Sequence, residues 1–430
     1  MAKKTSGFLI IAVALLGPSA ALAGDDIPYH VVKGDTLIAL GEKYLLRPAD
    51  YRIVQQTNRI GNPRMIPVGK ILKFPRHLLK YEAAKARFIA VRGGVSSVQG
   101  NARAQARTGA ELREGAAVQT EAGAFATLAL DDGSRVSVPS NSDVKIVRLR
   151  KYYLGSALDY DFQVQRGAAR SKVAPLQSKN DRYQVRTPKA VSAVRGTDFQ
   201  TRVDETSGND FAEVDEGALA VDLTNGKSTA VGAGFGLAVT AKGEAISEAL
   251  LPAVTLVGAG KLQNNSAVRF ALPGDGKAYR LSVATDAGFV EQIADVLSRD
   301  ESADFGALED GNYFLRVRQL SQAGIEGQPA VYAFKRRLNS VSGNVAPVAD
   351  GWVFRWAGVG KGAIRYHFQL VRGTPDSVPF VDEAGLSVQQ LSLSDLPPGD
   401  YHWRIGSVQF LDGESDTNWT PFEKFTVTAD

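Results

Sequence analysis

Hydrophobic and polar positions divide the chain into stretches of different period. Between residues 28 and 76, Tyr29 and Val31 alternate as in a half-buried strand, and Leu37, Leu40 and Tyr44 then recur at helical spacing on one face. Gly34-Asp35 supplies a turn between them, and Asp35 or Thr36 is placed to cap the helix. Pro48 stands at the favoured first position of a second helix, which Ile53, Val54 and Thr57 continue. Asn62-Pro63 breaks the chain, and Leu72 and Phe74 alternate as a closing strand before Pro75. The order is β-α-α-β.

Residues 85–245 carry short alternating runs with frequent turns. Ala126, Leu128 and Leu130 lead to Asp132-Gly133 and then to Val136 and Val138. Phe162 and Val164 lead to a turn at Arg166-Gly167, Tyr183 and Val185 to Thr187-Pro188, and a single run from Phe211 to Val221 to Asn225-Gly226. This spacing predicts a sandwich, barrel or solenoid of strands. Residues 253–338 and 345–430 repeat one another. Leu308, Gly311, Tyr313 and Arg316 recur as Leu396, Gly399, Tyr401 and Arg404, while Arg269-Phe270 parallels Arg355-Trp356. Each unit is expected to be a β-sandwich.

Composition adds location and exclusions. At 430 residues, the chain calls for several cores. Residues 1–23 have the form of a signal peptide: Lys3 and Lys4, an apolar run from Phe8 to Leu16, then Ala21-Leu22-Ala23. The run is far shorter than the roughly twenty residues of a bilayer-spanning helix. There is no Cys, which excludes disulfides, thiolate chemistry and a lipid-modified cysteine anchor. The chain is expected to be exported to the periplasm or the cell envelope.

Three stretches carry resemblances to known families. Tyr29-His30-Val31-Val32-Lys33-Gly34-Asp35-Thr36-Leu37, then Asn58, then Asn62 to Pro75 resembles a LysM domain along its whole length, with Leu40-Gly41 departing from the usual Ile-Ala. That resemblance implies a site for peptidoglycan or another N-acetylglucosamine-containing glycan. The groove would lie between Gly34, Asp35, Thr36, Leu37 and Ile38 on one loop and Asn62, Pro63, Arg64, Met65 and Ile66 on the other. Such a groove would take the apolar face of a sugar ring and its amide through backbone groups and small apolar side chains. On their side chains alone, Asp35 and Thr36 serve equally well as helix caps and Pro63 as a turn former.

The run Thr187-Pro188-Lys189-Ala190-Val191-Ser192-Ala193-Val194-Arg195-Gly196-Thr197-Asp198-Phe199, with Gly123 to Pro139 upstream, resembles the FecR family. It implies a β-solenoid-like periplasmic domain that passes on the state of an outer-membrane receptor. Sigma-regulating members carry a cytoplasmic segment and a transmembrane helix before this domain, and a leader and LysM-like module stand there instead. Direct control of a sigma factor is therefore not expected, and Arg195-Gly196-Thr197 is read as a structural corner. The L-x-x-G-x-Y-x-x-R pattern of the last two units resembles fibronectin type III-like modules. The fold class expected is mainly β and multidomain: a small βααβ module, a β-solenoid-like domain and two β-sandwich repeats.

Catalytic patterns are missing. The four His residues show no metal-ligand spacing such as H-E-x-x-H, and no G-x-S-x-G elbow occurs. Neither catalysis nor a cofactor or metal is expected. Lys145 to Arg195 holds twelve Lys/Arg against Asp159, Asp161 and Asp181, with Tyr152, Tyr153 and Tyr160 interleaved. For an exported chain this points away from nucleic acid, and a solvated strand face is the simpler reading. The expected function is non-catalytic tethering to the wall glycan, presenting the β domains to an unidentified envelope protein. The alternative is a FecR-type sensor acting through a separate membrane partner.

Overall fold

The computed structural model describes residues 25–194 and 196–428, so the expected signal peptide and Arg195 lie outside the described residues. The chain is mainly β, with several sheets and several hydrophobic cores. Among the described residues no helix is long and apolar enough to cross a membrane.

At the N-terminal end, strands Asp26–His30 and Ile71–Pro75 pair antiparallel. Helices Leu37–Tyr44 and Tyr51–Thr57 lie between them in sequence, the second preceded by a 3-10 turn at Pro48–Asp50. Thr36 caps the first helix: its hydroxyl accepts from the Ala39 N–H at 3.1 Å. Asn58 closes the second by donating to the Val54 carbonyl and exchanging two bonds with the Lys73 backbone, which ties helix to strand. Gly41 has a packing reason. A Cβ there would sit 2.8 Å from the Pro48 carbonyl oxygen and 3.1 Å from the Tyr51 Cβ, so the two helical segments approach only over a bare backbone.

This module does not stand alone. Its core of Ile27, Leu37, Leu40, Val54, Leu72 and Phe74 continues into Tyr152, Leu154 and Ala157 of the next region. Strand Tyr81–Ala83 pairs with Arg150–Tyr152, and the Arg76 guanidinium donates to the Asn180 carbonyl at 2.6 Å.

The strands from Tyr81 to Ala249 close on one another as two faces that share the 15-residue strand Leu158–Lys172. Its first part pairs with Asp143–Tyr152, and its last six residues pair with Asp198–Asp204 on the other face. Arg166-Gly167 is therefore not the turn expected from sequence but a bend within one strand. Gly167 has φ +71°, and a Cβ there would collide with Ser142 at 2.3 Å. The run from Phe211 to Val221 is likewise two strands, Asn209–Glu216 and Ala218–Leu223, separated at Gly217 (φ +84°) and placed on opposite faces. Beyond Lys172 the chain winds hairpin by hairpin. Arg182–Arg186 with Ala190–Val194, and Ala218–Leu223 with Ser228–Gly232, build one face. Asp198–Asp204 with Asn209–Glu216, and Phe235–Val239 with Ala245–Ala249, build the other. One apolar core fills the space between the faces. At the corner, Thr197 donates through its hydroxyl to the Ala218 carbonyl at 3.1 Å.

The last two units share one topology. The first has a sheet in the order Gln292–Ser298, Tyr279–Ala284, Gly311–Gln319, Ala330–Arg336, with the pair Arg269–Ala271 and Ser302–Asp304 apart from it. The second has Pro379–Leu386, Ala363–Arg372 and Gly399–Leu411 in the equivalent order, with Gly351–Val359 and Gln390–Leu393 paired apart. The repeated tyrosines do the same work in both. The Tyr313 hydroxyl donates to the Glu309 carbonyl at 2.9 Å and the Tyr401 hydroxyl to the Pro397 carbonyl at 2.7 Å, each four residues back, a tyrosine corner.

Gly41→Ala should lower stability by about 1–3 kcal/mol through overpacking, against the roughly 1 kcal/mol that helix propensity alone would add. Urea unfolding decides between them, since a stabilised variant would remove the packing explanation.

Candidate functional site

The two loops singled out in the N-terminal module do meet. The Leu37 N–H donates to the Pro63 carbonyl at 2.8 Å, which locks the first loop against the second. The ten residues then fall into different roles. Leu37 and Ile66 are buried in the module core. Asp35 accepts from the Tyr29 hydroxyl and the Val32 N–H, both at 2.8 Å, and Thr36 is the helix cap. Burial and the Asp35 carboxylate push the Tyr29 hydroxyl up to about 12. Asn62 folds its own loop by accepting from the Arg64 N–H at 2.9 Å. Gly34 is exposed with φ +93°, and Pro63 and Ile38 are half-buried. The side chains presented outward are Arg64 and Met65, with Met65 75% exposed. The paired loops offer backbone and apolar surface, while Asp35, Thr36 and Asn62 hold them in shape.

The basic stretch from Lys145 to Arg195 is resolved differently from a solvated strand face. Asp159 and Asp161 are fully buried. Arg182 grips Asp159 through two nitrogens at 2.8 and 2.7 Å, Arg186 reaches Asp161 at 2.8 Å, and Arg148 bonds Asp161. Arg150 pairs with Glu114. Tyr152 and Tyr160 are buried, and Tyr153 alone of the three interleaved tyrosines is exposed. Much of the charge run is thus an internal ion-pair ladder.

Sequence reasoning missed a second polar layer. Arg170, Gln200, Arg202, Glu213 and Asp215, on the outer side of Leu158–Lys172, Asp198–Asp204 and Asn209–Glu216, are buried or half-buried against the first of the two C-terminal units, while Arg166 and Lys172 stay exposed. Arg318 clasps Asp215 at 2.5 and 3.1 Å and donates to the Gly327 carbonyl at 2.8 Å. Glu326 accepts from Arg280 at 2.7 Å and from Gln200 at 3.1 Å, and lies 3.4 Å from Arg202. Arg202 also binds Glu213 at 2.6 Å and the Gly324 carbonyl at 2.7 Å. Beside this network Ile325 enters a small apolar cluster with Phe211, Ala238 and Leu250, and bare Gly236 leaves room for it. The segment Ser321–Gly327 is a latch between the two domains. No local signal marked it, since its partners Gln200, Arg202 and Glu213 lie more than a hundred residues upstream and even Arg280 lies 46 away.

The electrostatics follow from burial against pairing. Burial alone would raise the Asp215 carboxyl, but Arg318 and Arg170 outweigh it and hold it below the usual carboxylate range. Glu326 is held at about 2, where Arg202, Arg280 and Arg318 outweigh its burial. Glu213 is pushed up by burial, aided by the Glu326 charge. Among the described residues no group of three or more His, Asp or Glu is arranged to hold a metal.

Comparison with known proteins assigns a family to one part of the chain. Residues 116–220 match the model of the FecR protein family, and the chain carries a FecR-family domain there. No curated protein matches the chain. Two crystal structures of a candidate anti-sigma factor from Parabacteroides distasonis are similar at 17% and 16% identity, each with TM-score 0.27. Each match covers 31% of this chain and 59% of that one.

The depressed carboxyls stabilise the latch fully above their unfolded value of about pH 4, and that stability is lost as pH falls through the folded values. Glu213, raised, contributes with the opposite sign, so within the latch the two depressed groups set the acid response, to which buried Asp159, held low by Arg182, adds in the FecR-family region. Thermal melts from about pH 5 down to about pH 2 should show falling stability, and Asp215→Asn should flatten that fall; an unchanged acid limb would remove Asp215 from the account.

Proposed function

We propose that this chain is a non-catalytic binding protein of the bacterial envelope, held to peptidoglycan or a related N-acetylglucosamine-containing glycan by its N-terminal module. The observation that carries this reading is the pair of loops joined by the Leu37-to-Pro63 hydrogen bond and flanked by exposed Met65, in a β-α-α-β unit whose sequence resembles a LysM domain. Apolar surface suits the face of a sugar ring, and loop backbone suits its amide. A single shallow site binds weakly, so attachment to a polymer would rest on many contacts along the wall. In this reading the signal peptide delivers the chain to the periplasm, the FecR-family domain and the two fibronectin-like sandwiches present surfaces to another envelope protein, and nucleic acid is not a partner.

A second reading follows from the FecR-family match at residues 116–220: a sensor that reports envelope state through a separate membrane partner. The core shared by the N-terminal module and Tyr152, Leu154 and Ala157 favours it, because a pull on the glycan would reach the FecR-family domain through packed side chains rather than a slack linker.

The mature protein should co-sediment with purified sacculi without releasing soluble wall fragments. Met65→Asp should weaken that binding about tenfold, equal to some 1.4 kcal/mol, with unchanged melting. Absence of sedimentation by the unaltered protein would defeat the tether, and release of fragments would defeat the non-catalytic reading.

A further inference from the structure

Between the FecR-family domain and the first sandwich lies a cavity of about 670 Å³, within the range of small-molecule sites. One wall is the outward face of Arg135–Val138, Leu158–Lys172 and Asp198–Asp204; the other is the outward face of Tyr279–Ala284 and Gly311–Gln319. The latch closes one end. The Thr127 hydroxyl, donating to the Val290 carbonyl at 2.7 Å, makes a second contact between the domains.

Nine cationic and five acidic side chains line this space. Arg170, Arg202, Arg280 and Arg318 are engaged by carboxylates. Arg135, Arg166, Lys172, Arg299 and Arg316 have no carboxylate within 4.0 Å among the described residues. Asp198 and Asp295 pair with Arg170 and Arg280, Asp204 accepts from the Thr206 and Ser207 backbone, and Glu205 is exposed. The uncommitted charge is therefore positive. Arg316 is the sharpest case. It sits on a central strand, its guanidinium lies over the Phe289 ring at 4.2 Å, and burial together with Arg170 and Arg318 pushes it well below the usual guanidinium range. Two further donors, Arg170 Nη1 and Arg318 Nε, are buried without a hydrogen-bond partner. Arg316 is half-buried, and a guanidinium held among like charges and partly out of water is costly unless an anion compensates it; guanidiniums pair best with planar or tetrahedral oxyanions.

We propose that this cleft binds a small polyanion carrying two or more carboxylate or phosphate groups, with Arg316 as its central contact. Half-buried Arg135 and the exposed Arg166, Lys172 and Arg299 supply further charge around the rim. The walls belong to different domains, so a bound anion also ties them together. This site is separate from the proposed glycan-binding loops and stands or falls independently of them.

The test is calorimetric titration of the mature chain with inorganic pyrophosphate and, in a second arm, with propane-1,2,3-tricarboxylate. At least one probe should bind and raise the melting temperature, and the preferred arm assigns phosphate or carboxylate chemistry. Arg316→Gln should weaken binding at least tenfold while leaving ligand-free melting unchanged or raised; Lys227→Gln, an exposed control, should bind as the parent does. The double variant Arg135→Gln/Arg299→Gln should weaken binding at least threefold, which keeps the test open if Arg316→Gln does not fold. No heat from either probe at about 10 mM, or undiminished binding by the foldable variants, overturns the proposal.

Discussion

The structure depends on one electrostatic constraint: a carboxylate taken out of water must meet a guanidinium in good geometry or go neutral. Asp159 and Asp161 satisfy it inside the FecR-family region, with Arg182, Arg186 and Arg148. Asp215 and Glu326 satisfy it between domains, with Arg318, Arg280 and Arg202. These pairs need not add much net stability over apolar packing of equal volume. Their effect is positional, because a guanidinium fork accepts its partner in few orientations. They therefore fix how the first C-terminal unit sits against the sheet beneath it.

That arrangement gives the chain two kinds of surface. At one end a small helix-containing module presents two joined loops held in shape by Asp35, Thr36 and Asn62, with Arg64 and Met65 outward. In the middle, a cleft between two sheet faces holds positive charge that the protein does not itself neutralise. Continuous packing joins the two: the module's core runs into Tyr152, Leu154 and Ala157, and the strand Leu158–Lys172 passes from beside that core to the cleft. A change at either end meets rigid strands, which transmit displacement better than a flexible linker would.

Much of this organisation was legible in the chain. The order strand, helix, helix, strand between Tyr29 and Pro75 followed from periodicity and from Pro48 and Asn62-Pro63. The strand pair around Asp132-Gly133 followed from alternation about a turn, and the tyrosines of the last two units from an internal repeat. These are local signals, decided by neighbours a few positions away. The misreadings share one cause. Gly167 permits both a reversal and a bend, and only its contact with Ser142 decides for the bend. Phe211 to Val221 looked like one strand because alternation continues across Gly217 while the chain changes faces.

The sequence by itself determined the strand-rich composition, the FecR-family stretch, the strand-helix-helix-strand order of the N-terminal module and the repeated units, since each rests on short-range spacing. Only the tertiary structure decided what the charges do. Arg170, Arg202, Arg316 and Arg318 occupy the outward positions of alternating strands, where a lone strand would place them in water. A second sheet covers those positions, turning some into interdomain ion pairs and leaving Arg316 without one. Alternation reports which face a residue is on; it carries no record of what lies against that face.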